Sequence, residues 1–112
     1  MAKNGAFYEC DFNIQWHPSS SNRNSYSPSN DVEGAFFRFR GRTAHAAGNP
    51  QNGRSALDAV QLMNLGVEFL REHVTDDVRM HYIITDGGLA PNVVPDYAES
   101  KYFVRGDRKS VV

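Results

Sequence analysis

Gly41-Arg42-Thr43-Ala44-His45-Ala46-Ala47-Gly48-Asn49-Pro50 joins two hydrophobic patterns of different period, and that change of period decides the fold. Upstream, Ala35, Phe37 and Phe39 fall on one side of Val32 to Arg40, and Phe36, Arg38 and Arg40 on the other, as in a strand with one buried and one mixed face. Downstream, Ala56, Val60, Met63, Val67, Leu70 and Val74 recur at steps of three and four, while Asp58, Gln61, Glu68 and Glu72 take the opposite side. This is the spacing of an amphipathic helix. Ser55-Ala56-Leu57-Asp58 has the form of a capping box, which starts the helix at about Ala56. Leu57, Ala59, Leu62 and Phe69 widen the apolar face beyond what one sheet requires, so they either complete the core or meet a partner subunit. Between strand and helix sits His45 with only small neighbours, a place suited to an imidazole that reaches another surface. An ordinary solvated loop histidine is the plain alternative.

Working further out, Val78, Met80, Tyr82 and Ile84 alternate with Arg79, His81, Ile83 and Thr85, which predicts a second strand. Asp86-Gly87-Gly88 turns it. Ala98 to Arg105, with Ser100, Tyr102 and Val104 alternating against Lys101 and Phe103, predicts a third. The expected class is α+β in the order strand, helix, strand, strand: one helix on an antiparallel sheet, an incomplete ferredoxin-like layer whose full form adds a helix and a fourth strand. Ahead of it, Phe12, Ile14 and Trp16 alternate as on one face of a strand ending at His17-Pro18. Ser19 to Asn30 is almost entirely Ser, Asn and Pro and reads as a linker. The expected division is therefore 1–18, a linker over 19–31, a domain over 32–105, and a tail over 106–112.

At 112 residues the chain builds at most one small domain with a modest core. A 40% apolar content and a mean hydropathy of −0.54 suit a globular chain. A formal net charge of −1 gives no footprint for nucleic acid or an anionic membrane. No apolar run approaches the roughly 18 residues that span a bilayer, and the first residues lack a signal peptide's apolar core. Cys10 is the single cysteine, which fits a reducing cytosol, and is expected as a partly buried small hydrophobe.

The histidines His17, His45, His73 and His81 include no pair at a spacing that puts two ligands on one helix or strand face, so the chain alone should build no closed metal site. No Gly-x-Ser-x-Gly elbow and no phosphate-binding loop occur.

Gly41, Ala44-His45-Ala46-Ala47, Pro50 and Gly53, taken with Ala90-Pro91-Asn92-Val93-Val94-Pro95-Asp96, resemble the dimerisation (lid) domain of the two-metal amidohydrolase, aminoacylase and carboxypeptidase family, among whose members the aminobenzoyl-glutamate hydrolase type is most similar. The resemblance covers Asp11 to Arg105. It implies a parent enzyme that cleaves N-acyl or N-aroyl amino-acid amides on a divalent metal pair, manganese or zinc, and that forms a homodimer through the lid. Residues 1–18 would then be the end of a catalytic domain, and His17 resembles the family's metal-ligating position at the strand before the lid. The resemblance further implies that His45 donates to the tetrahedral oxyanion in the other subunit's cleft, and that Asn92 and Arg105 contact substrate. The rest of the catalytic domain is not present, so the isolated chain is expected to be an inactive fragment. Gly106 to Val112 departs from the family's continuation. Asp107 to Val112 can be spelled by GATCGGAAGAGCGTCGTG, a common sequencing-adapter string, so the tail is expected to be an assembly artefact.

Two rival readings stand beside this. One is a free-standing interaction module that pairs through a sheet edge or the broad helix face. The other, an RNA-binding ferredoxin-like module, is opposed by the slightly acidic charge and by the lack of paired exposed aromatics with basic neighbours.

Overall fold

A computed structural model describes residues 2–24 and 29–107. Its elements are β1 (Asp31–Arg40), α1 (Ala56–Leu70), β2 (Arg79–Asp86) and β3 (Tyr97–Gly106), the α+β order expected. The sheet runs β1-β3-β2, with both outer strands antiparallel to β3. β1 and β2 therefore point the same way with β3 threaded between them, and α1 crosses one face to connect them. This is the split β-α-β core of a ferredoxin-like layer.

The register assigns the faces. Phe39 lies opposite Ala98, Phe37 opposite Ser100 and Ala35 opposite Tyr102, while Met80 lies opposite Val104 and Tyr82 opposite Tyr102. These residues form the inner face, under α1. Ala56, Val60 and Asn64 are buried at steps of four along the helix, and Ala56 and Val60 pack on Ala98 with Phe39 and Leu57 alongside. Val60 is fully buried, a burial that stabilises by about 1.5–3 kcal/mol. The ring of Tyr102 is stacked on Tyr82 at 4.9 Å and meets Phe37 edge-on at 5.3 Å. Ser55 accepts a hydrogen bond from the Asp58 amide at 3.1 Å, so the helix starts where the capping box puts it. Past Leu70 the chain tightens into a short 3-10 turn, Arg71–His73, where the sequence pattern continues the α-helix to Val74.

Asn64 belongs to the buried stripe although no apolar periodicity marks it. Its Oδ1 accepts from the Tyr102 hydroxyl at 2.5 Å and the Ser100 hydroxyl at 3.3 Å, which is why a polar side chain is tolerated under the helix. Burial pushes the Tyr102 phenol up to about 12, with the neighbouring Tyr82 adding to it.

α1 covers only part of the inner face. Beside it runs an open groove of about 320 Å³ lined by Phe37, Met63, Val67, Met80, Tyr102 and Val104, on the face where a complete ferredoxin-like layer carries its second helix. Leu62 and Phe69 are 70% and 62% exposed, so these two do not complete the core of this chain.

The strand expected at Phe12 to Trp16 does not form. Residues 12–19 carry no regular structure and Trp16 is 81% exposed, because among the described residues no other strand lies beside them to complete a ladder. Cys10 is exposed rather than partly buried. Most of the Ser19 to Asn30 linker is described and exposed; residues 25–28 of it, and the tail beyond Asp107, lie outside the described residues. No described helix is long and apolar enough to cross a membrane.

Candidate functional site: the histidine loop

The loop after β1 is stitched to two other segments. Gly41 donates to Asp96 O at 2.7 Å, and Arg42 and Arg54 exchange a pair of 2.9 Å backbone bonds. At Gly41 the contact is so close that a Cβ would stand 2.0 Å from Arg54 O and 2.9 Å from both Ala56 N and Pro95 O. Only glycine leaves space there. Farther along, Ala46 donates to Asn92 O and Val94 to Ala44 O, each at 3.0 Å, so His45 and Val93 form a bridge. The histidine loop and the proline-flanked segment thus form one small platform at the end of the sheet.

Within it the His45 ring is oriented by its own backbone. The amides of Ala47 and Gly48 both donate to His45 Nδ1, at 3.2 and 3.1 Å, while Gly48 and Asn49 also donate to the His45 carbonyl. Two N–H groups aimed at Nδ1 make it the acceptor, so the proton of the neutral ring belongs on Nε2. The ring is exposed and presents that donor away from the loop. The alanines and glycine after His45 supply the amides, a role that small size alone does not reveal.

Asn92 follows Pro91 in a turn closed by Val93 N to Ala90 O at 3.1 Å, with proline where such turns favour it. Since Asn92 O also receives the Ala46 amide, Asn92 and His45 are neighbours, and both are exposed. Beside them lies a shallow apolar hollow of about 350 Å³ lined by Leu57, Leu89, Pro91, Val93 and Pro95, which the sequence pattern does not single out.

Arg105 is elsewhere. It pairs with Val32 and Arg79, whereas the histidine loop leaves the sheet after Arg40, which pairs with Tyr97. Tyr97 to Arg105 spans the length of β3, about 26 Å at roughly 3.3 Å per residue. His17 is remote from both in sequence and lies in the exposed irregular segment, its Nδ1 at 2.9 Å from Pro18 O. Among the described residues no three of His, Cys, Asp and Glu come together to hold a metal ion.

The outer face of the sheet departs from what the sequence pattern suggests. Phe36 lies opposite Lys101, and Phe103 lies opposite Gly34 and His81. The Lys101 ammonium stands 5.2 Å from the Phe36 ring centre and 5.3 Å from that of Phe103. Paired exposed aromatics with basic neighbours are therefore present, because pairing β1 directly with β3 brings together residues far apart in the chain. Nearby, Arg38 donates to Glu99 at 2.6 Å and Thr85 donates to it at 2.8 Å, holding the Glu99 carboxyl below its usual range, chiefly through Arg38.

A model of the peptidase dimerisation domain matches residues 32–111. The chain belongs to that family. It is 44% identical over 108 residues to one of the subunits of the p-aminobenzoyl-glutamate hydrolase of Escherichia coli K12, covering 94% of this chain and 22% of that protein. Against the Xaa-Arg dipeptidase of Mus musculus it is 36% identical over 101 residues, covering 90% of this chain and 23% of that one. A crystal structure from methicillin-resistant Staphylococcus aureus, assigned as an aminohydrolase, superposes with a TM-score of 0.56 at 21% identity over 71% of this chain and 22% of its own, a likeness of fold. The chain thus spans about a fifth of the length of the curated relatives it matches.

Proposed function

We propose that this dimerisation domain serves a metal-dependent amidohydrolase that cleaves N-acyl or N-aroyl amino-acid amides, and that His45 is its oxyanion donor. The observation that carries the reading is the pair of backbone amides on His45 Nδ1, which leaves Nε2–H as an outward, pre-aimed donor. A donor fixed before the reaction costs no reorganisation when negative charge develops on the amide oxygen, and one such contact contributes about 2.7–4 kcal/mol in a dry cleft. Asn92, next to it, is assigned to substrate through its uncharged amide, and the apolar hollow beside both suits an acyl or aroyl group. The hydrolase and dipeptidase relatives support the bond class.

Arg105 is assigned to a substrate carboxylate, but in a different cleft from the one His45 serves. The two residues lie toward opposite ends of β3, whose length from Tyr97 to Arg105 is about 26 Å at roughly 3.3 Å per residue, far longer than an N-acyl amino acid. A homodimer joined through this domain, with the histidine loop of one copy entering the cleft of the other, reconciles both roles. Exposed Leu62 and Phe69 and the open edge of β2 provide surface for such pairing. We assign His17 as one imidazole ligand to a manganese or zinc pair whose other ligands lie outside residues 1–112. Its exposed ring, with Nδ1 turned to Pro18 O, leaves Nε2 for that purpose.

The test is kinetic, in the longer enzyme that carries this domain. His45→Gln is expected to lower kcat on an N-benzoyl amino acid by about 10²–10³-fold with KM changed little, the signature of a contact made in the transition state. Unchanged kcat would remove His45 from the chemistry.

A further inference from the structure

The outer face of the sheet combines features that, Arg105 apart, the amide-cleaving role does not use. Phe36 and Phe103 are 49% and 43% exposed on adjacent strands, where large apolar rings gain nothing from the fold's own core. Gly34 sits directly under Phe103: a Cβ there would stand 3.1 Å from its Cε1, so the absence of a side chain lets the ring lean across β1 and turn toward solvent. Lys101 reaches both rings, Arg38 reaches Phe36 at 5.2 Å, and Arg105 reaches Phe103 at 5.9 Å.

Charge is segregated in the same place. The outer strand positions carry Arg38, Arg40, Arg79, Lys101 and Arg105 against Glu99 and Asp86, although the whole chain is −1. Both acids are engaged, Glu99 with Arg38 and Thr85 and Asp86 with the Gly88 amide at 3.0 Å; of the cations, Arg38 is held by Glu99, and Arg79 donates to the Asp76 and Val78 carbonyls through one guanidinium nitrogen while keeping its charge. What remains is a positive face with rings between the charges, whose complement is an anionic polymer that also offers flat apolar surfaces.

We propose that this face is a stacking platform for single-stranded nucleic acid, with Phe103 and Phe36 each taking a base and Lys101, Arg105 and Arg79 taking the phosphates between and beside them. Exposed cation–π contacts are weaker than base–aromatic stacking, so arriving bases displace Lys101 and Arg105 from the rings and release them to the phosphates. A base-stacking sheet on a ferredoxin-like layer is the arrangement of RNA-recognition modules, an analogy of fold alone. The platform binds without reading sequence, because stacking accepts any base. It does not involve His45 or Asn92, and shares only Arg105 with the amidohydrolase reading.

The experiment titrates the full 112-residue chain into fluorescein-labelled oligo(dT) and oligo(rU) of eight nucleotides, with a duplex of equal length, heparin and poly-glutamate as competitors. Saturable binding is expected for both single strands, with log affinity falling against log salt at a slope of about −2 for three phosphates. Phe103→Leu, which keeps apolar bulk and tests the ring alone, is expected to weaken binding about tenfold. Lys101→Gln should weaken it about threefold and flatten the slope by about 0.7, while Gln61→Ala on the exposed side of α1 leaves it unchanged. Circular dichroism checks that each variant is folded. No binding at millimolar chain, equal competition by the duplex or by poly-glutamate, or a Phe103→Leu chain that binds as well as the parent would each overturn the proposal. A preference for RNA over DNA among the single strands would support it and add a contact to the 2′-hydroxyl.

Discussion

Tyr102 donates its hydroxyl to Asn64 Oδ1 at 2.5 Å, across the interface between β3 and α1. Ser100 donates to the same oxygen, while Asn64 Nδ2 is buried without a partner. The pair is a polar stitch in a small core, stabilising when whole and costly when halved. Asn64→Leu leaves the Tyr102 hydroxyl buried and unbonded, and is expected to destabilise by about 1–3 kcal/mol. Tyr102→Phe strands the asparagine and should cost about 1–2 kcal/mol. Making both changes removes donor and acceptor together, so the double variant should lose less than the sum of the singles. Urea melts of the four chains close the cycle, and strict additivity would mean that the bond contributes nothing.

The same phenol gives the fold a pH dependence on the alkaline side. Its folded value is about 12 against an ordinary 10, because burial opposes the phenolate. Below pH 10 both folded and unfolded chains hold the proton and nothing is lost. Between pH 10 and 12 the unfolded chain ionises first, so stability falls as pH rises, by about 1.4 kcal/mol per unit and about 2.7 kcal/mol in all. Urea midpoints at pH 9, 10.5 and 11.5 should drop for the parent chain and drop much less for Tyr102→Phe. Parallel declines would place the titrating group elsewhere.

Period alone made the elements readable. Alternation over Val32 to Arg40 and three-four spacing from Ala56 marked β1 and α1, and Ser55 marked the helix start almost to the residue, since capping chemistry is local. What could not be read depends on contacts between distant segments. Asn64 is polar, and only Tyr102 and Ser100, which satisfy it, make it a core residue. Phe36 and Phe103 are unrelated in sequence because their adjacency comes from the β1-β3 register. Conversely, the alternation of Phe12, Ile14 and Trp16 is that of a strand, yet a strand requires a neighbour and the described residues supply none. At the site, His45 and Asn92 could be named from the resemblance, but the amides that aim the ring and the placing of Arg105 at the far end of β3 from Tyr97, about 26 Å away at roughly 3.3 Å per residue, emerge only from the fold.

Gly41 is where the loop is most exposed to a single methyl group. A Cβ would overlap Arg54 O at 2.0 Å and crowd Pro95 O and Ala56 N, and all three are backbone atoms that cannot rotate away. Gly41→Ala should therefore break the Arg42 to Arg54 pairing and part the histidine loop from the start of α1, at an expected cost of about 3 kcal/mol or more. Thermal melts measure the loss, and amide exchange at Arg42, Arg54 and Ala56 should rise in the variant more than exchange along β3. A variant that melts with the parent would mean the contact is looser than these distances require.

The tautomer of His45 can be checked without substrate, metal or a second subunit. Because Ala47 and Gly48 both aim amide protons at Nδ1, the neutral ring should carry its proton on Nε2, and long-range ¹H–¹⁵N correlation at a pH where the ring is neutral should give Nδ1 the downfield shift of an unprotonated, hydrogen-bonded nitrogen. His17 serves as the contrast, since the carbonyl of Pro18 beside its Nδ1 favours the proton there instead. Ala47→Pro removes one of the two amides facing His45. It should shift the population toward a mixture of tautomers while the sheet resonances stay in place. If His45 in the parent chain already shows the averaged shifts of a freely exchanging imidazole, the ring is not pre-aimed, and the advantage proposed for it in stabilising an oxyanion is lost.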